Sequence, residues 1–363
     1  MYDNANNILI LPFTSQNLLH NYLIFKQFIN YIKHIIFLYP DQDERYLQNF
    51  INLLINEQKQ NQITIDQFLI YPHSIEDTQK TIREKIHPLI QKLNCDYLLV
   101  NLSCKNEIIS IILFNEFNSL YPQYHPYSVL PSKNLFIRLH PNIISKNFSF
   151  QITLKDFFFL HGYSYDDNNN YSIPNDCPQP YERLNDYISA EQTDHTFINN
   201  NSNFTPNQKE YLTGGWLEKF IYDKIKDIKS IPDKRMGLKV KIKNFINPYN
   251  THYLNDANNN DHEIDISFIH NNHLYIIECK AHFEHQKLYD AMYKIASIQK
   301  LFPDNVKSYI FSLTRFSPEI GNIEKEILTR KKNILKITDI APLNIIREQR
   351  RLENFINTMF EKT

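Results

Sequence analysis

Glycine is scarce: the 363 residues contain five, and none precedes Gly162. Dinucleotide fingerprints and P-loops both place glycines directly after an early strand, so neither exists upstream of Gly162, and an ordinary NAD or ATP domain is not expected there. Cysteine is also sparse. Cys95, Cys104, Cys177 and Cys279 show neither metal-site spacing nor the density of a disulfide scaffold, so they are expected as reduced thiols. No uninterrupted apolar run is long enough to span a bilayer. The start, Met1-Tyr2-Asp3-Asn4, lacks the basic and apolar regions of a signal peptide, so the expected location is cytoplasmic, with no membrane partner. Charge of either sign is not in large excess, since the formal net charge is −1. That balance conceals an asymmetry: from Thr205 onward 25 Lys and Arg stand against 20 Asp and Glu, while the rest of the chain carries 14 against 20. A mildly basic C-terminal part is compatible with a nucleic-acid substrate without requiring one.

Asn, Ile, Lys and Tyr are abundant, as expected from a biased source genome. The Asn-rich patches Asp166 to Asn170 and Asn199 to Asn203 therefore read as loops.

From the N-terminus, strands and helices alternate. Residues 8–13, 35–39, 63–70 and 96–102 read as strands. A periodic stretch to about Ile32, a helix over 44–55, one from a Ser74 capping box to about Leu93 and one over 107–117 lie between or after them. This alternation predicts an α/β domain with an open, largely parallel sheet, whose ligands bind at the carboxyl ends of the strands. Two polar loops stand there: Thr14, Ser15, Gln16 and Asn17 after the first strand, and Ser103, Cys104, Lys105 and Asn106 after the fourth. Simple helix capping by Ser15 or Ser103 is the competing reading.

Beyond Tyr121 the pattern loosens, with a strand over 134–139 and a helix from Ile152 that Gly162 ends. The stretch from Tyr163 to Tyr181 reads as an exposed linker. The domain organisation expected is a sensing domain over 1–140, a connecting segment over 141–204 and a second domain over 205–363. In the latter, Gly214-Gly215 suggests close backbone approach ahead of a helix running to about Ile228. On that helix Glu218 edges an apolar stripe of Leu217, Phe220, Ile221 and Ile225. Trp216 reads as a packing anchor. Residues 240–245 read as a strand, 286–301 as a helix carrying Lys287, Lys294 and Gln299, each able to approach a phosphate but solvated by default, and 306–313 and 334–338 as strands with Arg330-Lys331-Lys332 between them. A final helix follows from Pro342 to about Phe360.

The most informative stretch is Glu263 to Lys280, two β-branched and aromatic runs flanking His270-Asn271-Asn272-His273. Read as a hairpin, it pairs Ile269 with Leu274, Ser267 with Ile276 and Asp265 with Glu278. Two carboxylates opposite each other require a compensating cation. Period two puts Leu274, Ile276, Glu278 and Lys280 on one face and Tyr275, Ile277 and Cys279 on the other, so Asp265, Glu278 and Lys280 converge. Hard oxygens beside a lysine suit Mg²⁺- or Mn²⁺-assisted phosphodiester hydrolysis. An isolated D…ExK match is more often a solvated hairpin, but Leu274-Tyr275-Ile276-Ile277 is too apolar for a strand exposed on both faces.

The order helix-Glu218, strand-Asp265, strand-Glu278-x-Lys280 resembles the PD-(D/E)XK nuclease superfamily. With Gly214-Gly215-Trp216-Leu217-Glu218 and the upstream Ile152 to Tyr163 segment, the layout is similar to the CARF-nuclease effectors of type III CRISPR systems. The resemblance implies an N-terminal Rossmann-like CARF domain and a C-terminal restriction-endonuclease-like α/β domain. It implies a homodimer that binds a cyclic oligoadenylate, cyclic tetra-adenylate above all, and then cleaves single-stranded DNA or RNA or nicks duplex DNA with Mn²⁺ or Mg²⁺ in antiphage defence. By the same resemblance Asp265 and Glu278 are metal ligands, Cys279 adds its backbone carbonyl, Lys280 orients water or stabilises charge, and Glu218 is an additional acid. The sensor loop departs from the family pattern: Asn101-Leu102-Ser103-Cys104-Lys105-Asn106-Glu107 stands where the family has two adjacent glycines, with Lys105 able to restore some attraction for phosphate. Two alternatives remain open, a cyclic-nucleotide sensor or sponge whose nuclease domain does not cut, and a restriction- or repair-type nuclease not gated by cyclic nucleotide.

Overall fold

Ile8, Leu9, Ile10 and Leu11 are fully buried in succession, which is what a continuous apolar run becomes in a parallel sheet covered on both faces. The structure is a computed structural model describing residues 6–57, 63–166, 172–189, 198, 201–244, 262–302, 306–314 and 321–361. Both Asn-rich patches lie partly outside these residues, and so does Phe245. Contacts divide the chain into two units, residues 1–152 with 156–162, and residues 153–155 with 163–363.

In the first unit, β1 (Asn7–Pro12), β2 (Ile32–Tyr39), β3 (Thr64–Leu69), β4 (Tyr97–Asn101), β5 (Tyr124–Leu130), β6 (Leu135–Arg138) and β7 (Ile144–Asn147) form a sheet in the order β3-β2-β1-β4-β5-β6-β7. The first five of these neighbours are parallel, and β6 and β7 extend the edge antiparallel. The crossovers are α1 (Leu18–Phe28), α2 (Glu44–Glu57), α3 (Ile75–Thr81), α4 (His87–Leu93) and α5 (Glu107–Asn118). The expected helix from Ser74 to Leu93 exists but carries a π turn over Ile82–Ile86, and the Ser74 hydroxyl accepts from the Asp77 N–H at 3.2 Å. Alternate residues of the central strands, Ile8, Ile10, Ile36, Leu38, Leu98 and Val100, pack on Ile82, Ile86, Ile90, Ile109 and Phe117 from these helices. α6 (Leu154–Leu160) is closed by Gly162 at φ +83°, a left-handed cap that suits glycine.

The second unit holds α7 (Pro180–Ser189), α8 (Pro206–Glu210), α9 (Trp216–Lys229), α10 (His285–Gln299), α11 (Gly321–Ile334), α12 (Leu343–Ile346) and α13 (Gln349–Glu361). Its sheet comprises β8 (Tyr163–Asp166), β9 (Met236–Asn244), β10 (His262–His270), β11 (His273–Lys280), β12 (Val306–Ser312) and β13 (Asp339–Ala341), in the order β13-β12-β11-β10-β9-β8. β11, β12 and β13 run parallel and the remaining neighbours antiparallel. The hairpin between β10 and β11 has the expected register, Ile269 to Leu274 and Ser267 to Ile276. Asn271 and Asn272 form a two-residue turn with φ of 48° and 58°, the left-handed pair that a type I′ hairpin needs. On one face of the hairpin Phe268 stacks on Tyr275 at 4.6 Å and on Phe360 at 5.4 Å. Trp216 is fully buried, 5.2 Å from the Tyr187 ring.

Several local expectations are corrected. Tyr163–Asp166 is not linker but the edge strand β8, paired with β9 through Tyr163–Asn244 and Tyr165–Ile242. Arg330-Lys331-Lys332 lies in the last turns of α11, where Lys331 and Lys332 face the negative end of the helix dipole. Ile334 ends that helix, Lys336 turns left-handed at φ 57°, and the strand begins only at Asp339. Close backbone approach is not found at Gly214, which lies in a π turn over Tyr211–Gly215: a Cβ there would meet nothing within 4 Å. The final helix is two, α12 and α13.

Candidate functional site

β11 alternates between two environments. Tyr275, Ile277 and Cys279 belong to the apolar core beneath α9 and α13, whereas Glu278 and Lys280 belong to the opposite face. Glu278 is 1 % exposed and Asp265 5 %, so both carboxylates are effectively inside the protein. Asp265 adjoins the end of the β10–β11 ladder, where its Oδ2 accepts the Cys279 N–H at 2.7 Å. Lys280 Nζ reaches Glu278 Oε1 at 2.6 Å. A second cation, Lys294 from α10, lies 2.7 Å from Glu278 Oε2 and 3.5 Å from Asp265 Oδ1.

Glu218 enters from the first turn of α9. Its Oε2 is buried, accepts no hydrogen bond and lies 3.6 Å from the Lys239 ammonium. Lys239 is itself buried, adopts φ 51° within β9, and pairs with Glu210 as well. Burial, then the Asp265 charge, pushes the Glu218 carboxyl up to about 8, against the pull of Lys239. Burial and Asp265 likewise raise Glu278, opposed by Lys280 and Lys294. Burial works against the charge on Lys280 and on Lys294, but the two acids outweigh it and hold both ammonium groups above the ordinary lysine value. Burial also raises the Cys279 thiol, which faces the core and away from the acids.

The structure therefore brings Asp265, Glu278 and Lys280 together, with Glu218 at the margin and electrostatically coupled to both acids. It adds Lys239 and Glu210, which sequence reasoning did not single out, and sets Lys294, read as solvated by default, against the two acids. Lys287 is exposed, and Gln299 donates to the Lys336 carbonyl at 3.3 Å. Lys294 left a legible trace: on α10 the buried residues Ala291, Ile295 and Ile298 flank it, so a lysine occupies an apolar stripe. Among the described residues no group of three or more His, Cys, Asp and Glu is gathered closely enough to hold a metal ion. The donor set nonetheless suits one. Buried carboxylate oxygens, including Glu218 Oε2, which accepts no hydrogen bond, are hard ligands of the kind Mg²⁺ and Mn²⁺ take.

The first unit carries a separate cleft of about 470 Å³ at the carboxyl ends of β1 to β4. Thr14, Ser15, Gln16, Lys105 and Asn106 line it, joined by Asp43, His73 and Glu107. Asn17, Ser103 and Cys104 are not in its lining. The buried Asn17 side chain accepts from Thr14 N–H at 2.8 Å and donates to the Pro12 carbonyl at 2.8 Å. Ser103 Oγ accepts the Val129 N–H at 2.5 Å. Cys104 is buried, which raises its thiol. Asn106 caps α5 by accepting from the N–H groups of Ile108 and Ile109, at 3.1 and 3.3 Å. That helix end brings partial positive charge to the cleft wall.

Residues 206–339 match the family described as the Card1-like endonuclease domain. No curated protein matches the chain. Among solved structures, protein VC1899 from Vibrio cholerae superposes with a TM-score of 0.70 at 15 % identity, covering 98 % of each chain. Can2 from Sulfobacillus thermosulfidooxidans, in complex with cyclic tetra-adenylate, gives 0.66 at 16 % identity over 97 % of this chain and 100 % of that one. A type III CRISPR defence DNA nuclease activated by cyclic oligoadenylate gives 0.57 at 12 % identity, over 87 % of this chain and 47 % of that one. At such identities the likeness is one of fold, a CARF-like α/β unit followed by a nuclease-type α/β unit. No described helix is long and apolar enough to cross a membrane.

Proposed function

We propose that the chain is a metal-dependent endonuclease, gated by a cyclic oligoadenylate and acting in type III CRISPR antiphage defence, with the PD-(D/E)XK arrangement in its second unit. The observation that carries this reading is the cluster of two buried acids and two lysines at the end of β10 and β11, inside the segment matching the Card1-like endonuclease domain. Asp265, Glu278 and the Cys279 carbonyl would hold Mn²⁺ or Mg²⁺, with Glu218 as an additional acid. A bound divalent ion supplies an acidified water and offsets charge on the phosphate. The Cys279 N–H fixes Asp265 so that its other oxygen is the one left to bind. Lys280, held by Glu278 on the same face of β11, presents a permanent positive charge beside the position of attack. The Glu218 carboxyl, raised by burial and with an Oε2 that accepts no hydrogen bond, suits a group that takes or gives a proton near neutral pH.

The cleft of the first unit is the activator site in this reading, with residues 1–140 as sensor and 205–363 as nuclease. Lys105 and the amino end of α5 supply the attraction for phosphate. A homodimer is supported by Tyr71, Ile75, Ile108 and Ile111, large apolar side chains each at least 46 % exposed, of which Ile108 lines the cleft. Cyclic tetra-adenylate is the favoured ring, since Can2, of the same fold over the whole chain, is seen with it. A second reading, a nuclease gated by another ligand, is favoured by one observation: Asp43 and Glu107 bring carboxylates into a cleft that would have to accept several phosphates.

The test is cleavage of labelled single-stranded RNA, single-stranded DNA and supercoiled plasmid in Mn²⁺, without activator and with cyclic tri-, tetra- or hexa-adenylate. Cleavage with one ring alone is expected. Cleavage without any ring would transfer the first unit to another signal, and none under any condition would remove the nuclease assignment.

A further inference from the structure

Every oxygen that Asp265 and Glu278 could offer a cation is already engaged, and by different kinds of partner. Asp265 Oδ2 is committed to the backbone, accepting the Cys279 N–H at 2.7 Å. Glu278 Oε1 is held by Lys280 at 2.6 Å and shared with Lys294 at 2.9 Å. This leaves Asp265 Oδ1 and Glu278 Oε2. Both face the same ammonium, that of Lys294, at 3.5 and 2.7 Å. A divalent ion the size of Mg²⁺ binding these oxygens would sit about 2.0–2.1 Å from each. An ion at that distance and an ammonium drawn to the same two oxygens carry like charge and compete for them.

We propose that Lys294 is a resident counter-cation, occupying the place between Asp265 and Glu278 that a divalent metal requires, so that metal entry depends on its departure. The inference rests on the metal-site reading above and adds a competition to it. Two features of α10 make departure feasible. The Lys294 side chain is 37 % exposed, so its flexible stem has a route to solvent that does not cross the core. One turn earlier lies the exposed Asp290, at the i−4 position, where a displaced ammonium finds an opposite charge. The geometry also explains how two buried carboxylates are balanced by side chains: Lys280 alone reaches only Glu278, whereas Lys294 reaches both. Lys294 thus acts on the reaction through the metal site, as a positioning residue, and sets the metal concentration at which the site fills.

The experiment is titration of the metal-free full-length protein with Mn²⁺ alone, followed by calorimetry and by the Mn²⁺ paramagnetic resonance signal, with no nucleic acid present. If the ammonium occupies its place most of the time, Lys294→Gln should bind Mn²⁺ about tenfold more tightly than wild type, because the tax on the binding-competent state is lifted. Lys294→Arg, which keeps the charge, should stay near wild type. In EDTA, Lys294→Gln should melt at lower temperature than wild type, and Lys294→Met serves if the Gln variant does not fold. Glu278→Ala separates the two levels of the argument. Loss of Mn²⁺ binding in Glu278→Ala with unchanged or weaker binding in Lys294→Gln overturns the role of Lys294 alone. Wild-type binding in Glu278→Ala overturns the metal-site reading and this inference with it.

Discussion

Lys280 Nζ lies 2.6 Å from Glu278 Oε1, an ion pair between side chains two positions apart on one strand. The spacing works because strand residues i and i+2 share a face, and burial of Glu278 makes the pair matter far more than an exposed one would. Removing the carboxylate takes from Lys280 and Lys294 the counter-charge they share and leaves Asp265 as the acid beside Lys294. Glu278→Gln and Asp265→Asn should each lower cleavage at least about a hundredfold in Mn²⁺, since the group lost is part of the charge that would hold the metal. Binding of labelled cyclic tetra-adenylate, measured in parallel by fluorescence polarisation, should not change. Retained cleavage in either variant would place the chemistry elsewhere.

The Glu218 carboxyl gives a pH signature in the metal-free protein. It is pushed up to about 8, by burial first and the Asp265 charge second, from an ordinary value of 4.5. The folded chain therefore keeps a proton that the unfolded chain has already released over that interval. Stability falls as pH rises from about 4.5 to 8 and levels off above it. Glu218→Gln should lack this fall. Thermal unfolding in EDTA between about pH 5 and 9 should show the variant gaining on wild type as pH rises, by about 2–4 °C per kcal/mol for a domain of this size. Parallel curves would mean that Glu218 does not titrate in this range.

In the cleft of the first unit, Lys105 is exposed and lies opposite the polar loop after β1. Lys105→Glu reverses its charge toward any phosphate ligand. The affinity for cyclic tetra-adenylate should fall about tenfold or more, with a steeper loss at low salt, where charges are least screened. Equal affinity at both salt concentrations would take this loop out of the binding site.

The hairpin turn can be tested without reference to function. Asn271 and Asn272 are left-handed, and Asn tolerates that conformation far better than β-branched residues do. Asn271→Val should cost about 1–2 kcal/mol of stability, read from denaturant midpoints. Asn271→Gly should be close to neutral. Identical midpoints for all three proteins would rule out the turn geometry.

Gly237 poses a packing test on the neighbouring strand. A Cβ at this position would stand 2.6 Å from Val240 Cγ2, within the same strand, because β9 kinks at Lys239. Gly237→Ala should destabilise by about 1–3 kcal/mol, and Gly237→Ala with Val240→Ala should recover part of that loss. Absence of recovery would show that the clash is not the cause.

Much of this architecture is written into residue patterns. The parallel sheet is visible in its continuous apolar strands, and the hairpin in an alternating pattern broken by Asn271-Asn272. What escaped has physical reasons. β7 is exposed at every residue, so no apolar signal marks it. β5 contains Pro126 and His125, which read against a strand interior. β13 is three residues long and follows a left-handed lysine, too short for periodicity to register. At the candidate site, Asp265, Glu278 and Lys280 are legible because they share one hairpin. Lys294 comes from a helix whose approach to the sheet only tertiary structure fixes. Lys239 reaches Glu210 and Glu218 through a positive φ that no local sequence signal announces.

The alternation along β11 has a consequence for how the chain tolerates change in length. Core-facing Tyr275, Ile277 and Cys279 interleave with Glu278 and Lys280, so the strand carries two lists of residues on one backbone. Loss of a single residue between Leu274 and Ile277 would exchange the lists beyond it, sending Glu278 and Lys280 toward the core and Ile277 and Cys279 to the opposite face. Substitutions there disturb one contact at a time, whereas a one-codon deletion disturbs packing and chemistry together. The segment that builds the site is also the one whose spacing is least free to drift.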